Sequence, residues 1–193
     1  LQSCILFALG GARCLWELKP RSSMDTCVVV GDYSNTPALV RNSLWLRGIV
    51  WIESGSTTFE NTVLPPPINL TPGSVLSRCT VMGVIRAFGE GNRQVVDCIL
   101  SGAEADKPTL LLEHSNVYGL PPVFVNEAKP GKGCFSAPPM FVNPKAFDFR
   151  LMPDSPCIGK ASDGGDMACR FTPEMLQMLQ LAFELRARGI IKF

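Results

Sequence analysis

Seven short segments of the chain share one shape, a small polar residue followed by an apolar run. They are Ser3-Cys4-Ile5-Leu6, Thr26-Cys27-Val28-Val29, Asn42-Ser43-Leu44-Trp45, Asn61-Thr62-Val63-Leu64, Arg78-Cys79-Thr80-Val81, Asp97-Cys98-Ile99-Leu100 and His114-Ser115-Asn116-Val117. The second residue is always Cys, Ser or Thr, and these anchors are spaced 23, 16, 19, 17, 19 and 17 residues apart. A period near twenty is too short for a helical pair and fits one turn of a β-solenoid. In such a coil, short strands are joined by bends and equivalent positions stack. A small side chain fits just inside a bend, and the next-but-one residue points inward. Those residues are Leu6, Val29, Trp45, Leu64, Val81, Leu100 and Val117, all apolar. Asn42, Asn61 and Asp97 precede anchors, where they tolerate left-handed backbone geometry. An antiparallel sandwich also has many short strands, but it does not explain small residues recurring at one register.

The expected fold is therefore all-β, a right-handed parallel β-helix of about seven coils with a C-terminal capping α-helix. Coils occupy 1–140, a closing loop segment 141–171, and the capping helix and tail 172–193. Thr172 reads as an N-cap, with Pro173 at the first helical position and Glu174 near the positive helix end. Gly189 is the residue expected just past the helix. A solenoid end exposes strand edges and apolar core, which is the reason to expect a cap there.

Composition narrows the function. Charged residues are only 18% of the 193, the net charge is +1, and hydrophobic residues reach 46%. The thin polar surface suggests an elongated core or a covered face. No basic run suits nucleic acid, and no apolar run of 18 residues suits a membrane span. The eight cysteines include no C-x-x-C pair, so no zinc site is expected, and those at anchors read as buried core thiols. Because the chain begins at Leu1, it reads as a piece of something longer.

The stacked bends resemble the pectin-lyase-like right-handed β-helix superfamily. Phe141-Val142-Asn143-Pro144, Asp148-Phe149-Arg150-Leu151 and Pro153-Asp154-Ser155-Pro156-Cys157-Ile158-Gly159 look like the closing segment of such proteins. The tail, Ser162-Asp163-Gly164-Gly165-Asp166 followed by the helix, is similar to the C-terminus of β-helix regions in large bacterial proteins, some of them membrane-anchored serine/threonine protein kinases. No kinase motif lies in this chain. The resemblance implies an extracytoplasmic place, secreted or at the cell surface. It also brings polysaccharide lyases and glycoside hydrolases into consideration.

Chemistry is sparse in the sequence. His114 is the only histidine and sits at a bend. The outward rows of the anchor strand are Ile5, Val28, Leu44, Val63, Thr80, Ile99, Asn116 and then Phe7, Val30, Leu46, Pro65, Met82, Ser101, Tyr118. Neither row carries a charge, whereas a glycosidase needs two carboxylates on one site. No catalytic residue and no cofactor is expected. Asp163 and Asp166 are weak calcium candidates. Trp16, Trp51 and Tyr118 are candidates for stacking on a glycan. The aliphatic ladder Ile5, Val28, Leu44, Val63 and Ile99 is the candidate interface, since a continuous apolar patch of that size demands a cover. The cover would be a loop of this chain, a second copy or another protein domain. The expected function is thus a non-catalytic structural or interaction module of a larger bacterial protein, with carbohydrate binding or a lyase- or hydrolase-like activity as the alternative.

Overall fold

Each bend is built from one residue in left-handed geometry. Ser3, Thr26, Asn42, Asn61, Arg78, Asp97 and His114, the residues before the seven anchors, all have φ between 43° and 57°. The structure, a computed structural model, describes residues 1–7, 22–34, 38–51 and 55–193, with the side chains of Tyr33, Ser34 and Trp51 outside that description. It is a parallel β-solenoid of about six turns with one C-terminal helix. The first face of each coil follows the anchor: Ile5–Phe7, Val28–Val30, Leu44–Arg47, Val63–Leu64, the starts of Thr80–Ala87 and Ile99–Ala105, and Asn116–Val117. The second face holds Tyr33–Ser34, Val50–Trp51, Ile68–Leu70, the ends of the two long strands, and Phe124–Asn126. The third face is a separate six-stranded sheet of Ser23–Asp25, Leu39–Arg41, Thr58–Glu60, Val75–Ser77, Arg93–Val96 and Leu110–Glu113. The coil opened by the seventh anchor adds no described strand to the third face, so about six turns form rather than about seven.

The anchors do more than fit a tight space. At three of the bends the anchor side chain bonds backbone groups on both neighbouring segments. Ser43 Oγ donates to the Arg41 carbonyl at 2.7 Å and accepts the Cys27 amide of the previous coil at 3.1 Å. Ser115 repeats this with Glu113 at 2.8 Å and Cys98 at 3.1 Å. Cys98 Sγ does the same with Val96 and Cys79, at 3.1 and 3.3 Å. A residue that both donates and accepts satisfies two backbone groups that burial would otherwise leave unpaired. Cys, Ser and Thr are therefore interchangeable here for chemical as well as steric reasons.

The interior is the row the alternation predicts. Val29, Trp45, Leu64, Val81, Leu100 and Val117 are buried, joined by Met24, Val40, Phe59, Leu76, Val95 and Leu112 from the third face. At the bend between the first and second faces, glycine recurs. A Cβ on Gly83 would lie 2.1 Å from Pro66 Cβ, and one on Gly119 would lie 2.1 Å from the Ser101 carbonyl oxygen. Coil-on-coil stacking leaves no room for a side chain at this corner.

Arg93 is the largest polar side chain in the interior. It is buried without a carboxylate, and its guanidinium donates to the carbonyls of Leu70 at 3.1 Å, Gly89 at 3.0 Å and Glu90 at 3.2 Å, and to Thr109 Oγ1 at 3.1 Å. These carbonyls belong to the corner before the third face, which the buried cation gathers inward.

The helix spans Pro173–Ala187, with Thr172 Oγ1 accepting the Met175 amide at 3.2 Å and Gly189 at φ 72° beyond its end. Its position differs from the expected end cap. Met175, Leu179 and Ala182 form its buried stripe and pack on the first face near Val28–Val30. The last coil is closed instead by 127–135. There Ala128 is buried against the core, Cys134 packs beside it, and the Lys132 carbonyl accepts the His114 amide at 2.8 Å.

Candidate functional site

The expected interface ladder is covered, and the cover is the chain's own C-terminal segment. Val28, Leu44, Val63 and Ile99 are 0, 1, 0 and 3% exposed, and Ile5 is half-buried. Val28, Val30, Leu44, Leu46 and Val63 lie under Phe149, Cys169, Met175, Leu179, Ala182 and Ile191. Ile99 lies under Cys157, Ala161, Met167 and Ala168. The ladder is thus an internal interface, and it offers no surface to another chain. Full burial of each such aliphatic is worth about 1.5–3 kcal/mol, which explains why the segment turns back along the solenoid instead of crossing its end.

Polar residues on the first face and its bend mark where that segment crosses. Asn116 exchanges hydrogen bonds with Ala137, at 2.8 and 3.0 Å, and donates to Cys157 Sγ at 3.1 Å. Asp97 accepts from the Ser162 amide at 2.6 Å and its hydroxyl at 2.7 Å, while the Asp97 carbonyl accepts the Ala168 amide at 2.9 Å. Thr80 Oγ1 accepts the Cys169 amide at 3.3 Å. A chain of edge-to-face aromatic rings completes the lobe. Phe141–Phe149, Phe147–Phe193 and Phe183–Phe193 have centroids 5.2, 5.6 and 5.4 Å apart.

Between this lobe and the sheet a cleft of about 330 Å³ stays open. Met82, Ser101, Tyr118, Pro139, Phe141 and Pro144 line it. Tyr118, one of the three glycan-stacking candidates, is 44% exposed there. Trp16 lies outside the described residues, as does the side chain of Trp51. The structure therefore brings Tyr118 to a cleft and leaves its two proposed companions untested.

Rows of charge stand on the third face. Its outer side carries Asp25, Arg41, Glu60, Ser77, Val96 and Glu113 in one row and Ser23, Leu39, Thr58, Val75, Gln94 and Leu111 in the other. Arg41 pairs with Asp25 at 2.9 Å, and Arg78 pairs with Glu60. Burial alone would raise the pKa of Asp25, but hydrogen bonds from Asn42, Arg41 and Thr26 outweigh it and hold that pKa below its usual value. A groove of about 480 Å³ runs along the corner of this face, bordered by Gly73, Val75, Gln94, Leu110 and Leu111. Leu111 is 51% exposed. The signal was present in the sequence, because this charged row lies two residues before each anchor, on the strand that enters the bend.

No protein-family model matches the chain, and no curated protein matches it. Roles must come from the geometry alone. Asp163 accepts from both terminal nitrogens of Arg170, at 2.7 and 2.8 Å, and from the Gly165 amide at 2.9 Å. Asp166 accepts the Gly159 amide at 3.0 Å. The Arg170 guanidinium thus engages both oxygens of Asp163, and the described residues contain no cluster of three metal-binding side chains. The His114 ring lies against Gly133 within the closing loop. Burial pushes the thiols of Cys98 and Cys169 well up and raises that of Cys27 to about 11, so all three persist as donors. Among the described residues no helix is long and apolar enough to cross a membrane.

Proposed function

We propose that the chain is a non-catalytic β-solenoid module of the pectin-lyase-like kind, serving a larger bacterial extracytoplasmic protein as a surface for another protein domain. The outer side of the third face is the surface we assign to that role. The observation that carries this reading is the state of its charges: the carboxylates of Asp25 and Glu60 are each neutralised by an arginine of the next coil. General acid catalysis needs a carboxylic acid with a raised pKa. The carboxylates displaced from their usual acidity, Asp25, Asp148, Asp163 and Glu174, are all displaced downward. Paired charges beside exposed Leu111 and half-buried Leu39 and Val75 suit docking of a protein surface better than attack on a sugar.

The test is a pair of third-face variants, Leu111→Glu and Val75→Arg, in the parent protein. Loss of association between this module and its neighbouring domains, with melting temperature unchanged, supports the reading. Turnover of a polysaccharide by the chain, measured as new reducing ends or unsaturated uronates, defeats it.

A second reading rests on the Tyr118 cleft, whose volume and mixed aromatic and hydroxyl lining suit one sugar unit stacked on a ring. Equilibrium dialysis against a panel of oligosaccharides tests it. Binding must occur and must fall at least tenfold in Tyr118→Ala.

A further inference from the structure

Two thiols meet near the first strand. Cys4 Sγ and Cys27 Sγ are 3.2 Å apart, and neither is bonded to another sulfur. They precede Ile5 and Val28, which are register partners on neighbouring parallel strands, and the Val28 amide donates to the Cys4 carbonyl at 2.9 Å. Parallel strands sit about 4.8 Å apart, inside the roughly 4.4–6.8 Å Cα separation that a disulfide spans. The two sulfurs therefore need only side-chain rotation to approach bonding distance. Cys79 and Cys98 stack in the same way after two intervening coils, but both are sealed in the interior, whereas Cys4 is half-exposed.

We propose that Cys4 and Cys27 form a disulfide site, closed by a peroxide, that staples the first two rungs of the solenoid. The half-exposed Cys4 thiol meets the oxidant. Its sulfur attacks the peroxide O–O bond, giving a sulfenic acid and one water. The Cys27 sulfur then attacks the Cys4 sulfur, the S–O bond breaks, the S–S bond forms, and the departing hydroxide takes the Cys27 proton as a second water. Two thiols and one hydrogen peroxide thus yield one disulfide and two waters. The functional gain lies at the start of the described solenoid, where rung one otherwise holds to rung two by ladder hydrogen bonds and the packing of half-buried Ile5 and Leu6. The neighbouring coils show that either site tolerates a hydroxyl, since Ser43 and Ser115 occupy the equivalent position.

The whole chain is treated with hydrogen peroxide under native conditions, its remaining thiols are alkylated, and it is cut with trypsin without reduction. Cleavage after Arg13, Arg21 and Arg41 places Cys4, Cys14 and Cys27 in three separate peptides. The expected product joins the Leu1–Arg13 peptide to the Ser22–Arg41 peptide, two hydrogens lighter than their sum. It disappears in both Cys4→Ser and Cys27→Ser, and the oxidised wild type melts at a higher temperature than the reduced protein. Unreacted thiols, a link from Cys4 to Cys14, or recovery of Cys4 as a sulfinic acid overturns the site. A correct link without a rise in melting temperature overturns the staple.

Discussion

Asn61 grips the peptide of Arg170 from both sides. Its amide nitrogen donates to the Arg170 carbonyl at 2.8 Å and its oxygen accepts the Arg170 amide at 2.6 Å. One bend residue thereby acts as a strand partner for a segment 109 positions away. Asn61→Asp keeps the left-handed geometry, since Asp tolerates it nearly as well. It replaces the donor with an oxygen facing the Arg170 carbonyl. The expected loss is about 1–3 kcal/mol, read from the urea midpoint, and an unchanged midpoint would refute the role.

Cys98→Ser is expected to cost less than about 1 kcal/mol, because a hydroxyl makes both bonds that the thiol makes, as at Ser43 and Ser115. Leu100→Asp places a carboxylate in the closed interior and is expected to cost more than about 4 kcal/mol. Thermal unfolding of the two variants side by side decides; equal losses would mean that a hydroxyl does not replace the thiol at this anchor.

Removal of residues 172–193 uncovers Val28, Leu44, Leu46 and Val63 but leaves the closing loop 127–135 in place. The truncated chain should therefore bind a hydrophobic dye and associate side by side. End-to-end filaments seen in the electron microscope would show instead that the helix protects a coil edge.

Stability should fall in acid. Arg150 holds the Asp148 carboxyl, and Arg170 the Asp163 carboxyl, below the usual carboxylate range. Folding thus favours their ionised forms. That contribution is complete above the unfolded value of about 4 and is lost as pH drops through the folded values. The melting temperature should be flat from about pH 7 to 5 and decline below about 4, with Asp163→Asn removing part of the decline. A melting temperature that climbs on acidification would contradict this.

Much of this fold was legible because stacking repeats its demands. The anchors, the inward row and the helix with its Thr172 cap can be read from one chain, since each obeys a local rule. The place of the helix could not be read. Both a coil end and an aliphatic ladder call for cover, and only three-dimensional reach decides that Met175 and Leu179 take the ladder while Ala128 and Cys134 take the end. The apolar ladder demands a cover, and the helix expected at the coil end supplies much of it. The third-face charges do not stand out because the repeat is defined by the anchor strand, whereas Asp25, Arg41 and Glu60 stand on the strand before it. Tyr118 was singled out for its ring, but its cleft exists only because Phe141 and Pro144 return to face it.

The return of the C-terminal segment also sets an order of events during synthesis. Val28 and Leu44 leave the ribosome well before Met175, Leu179 and Ile191, which seal them. Coils pair with their immediate predecessors and can assemble as they emerge, but the first face waits for the segment that carries Met175, Leu179 and Ile191. For that interval a growing solenoid displays an oily stripe that only its own tail can quench. Slowed translation, or a stop codon anywhere before the helix, prolongs the stage at which nascent chains are most prone to stick together.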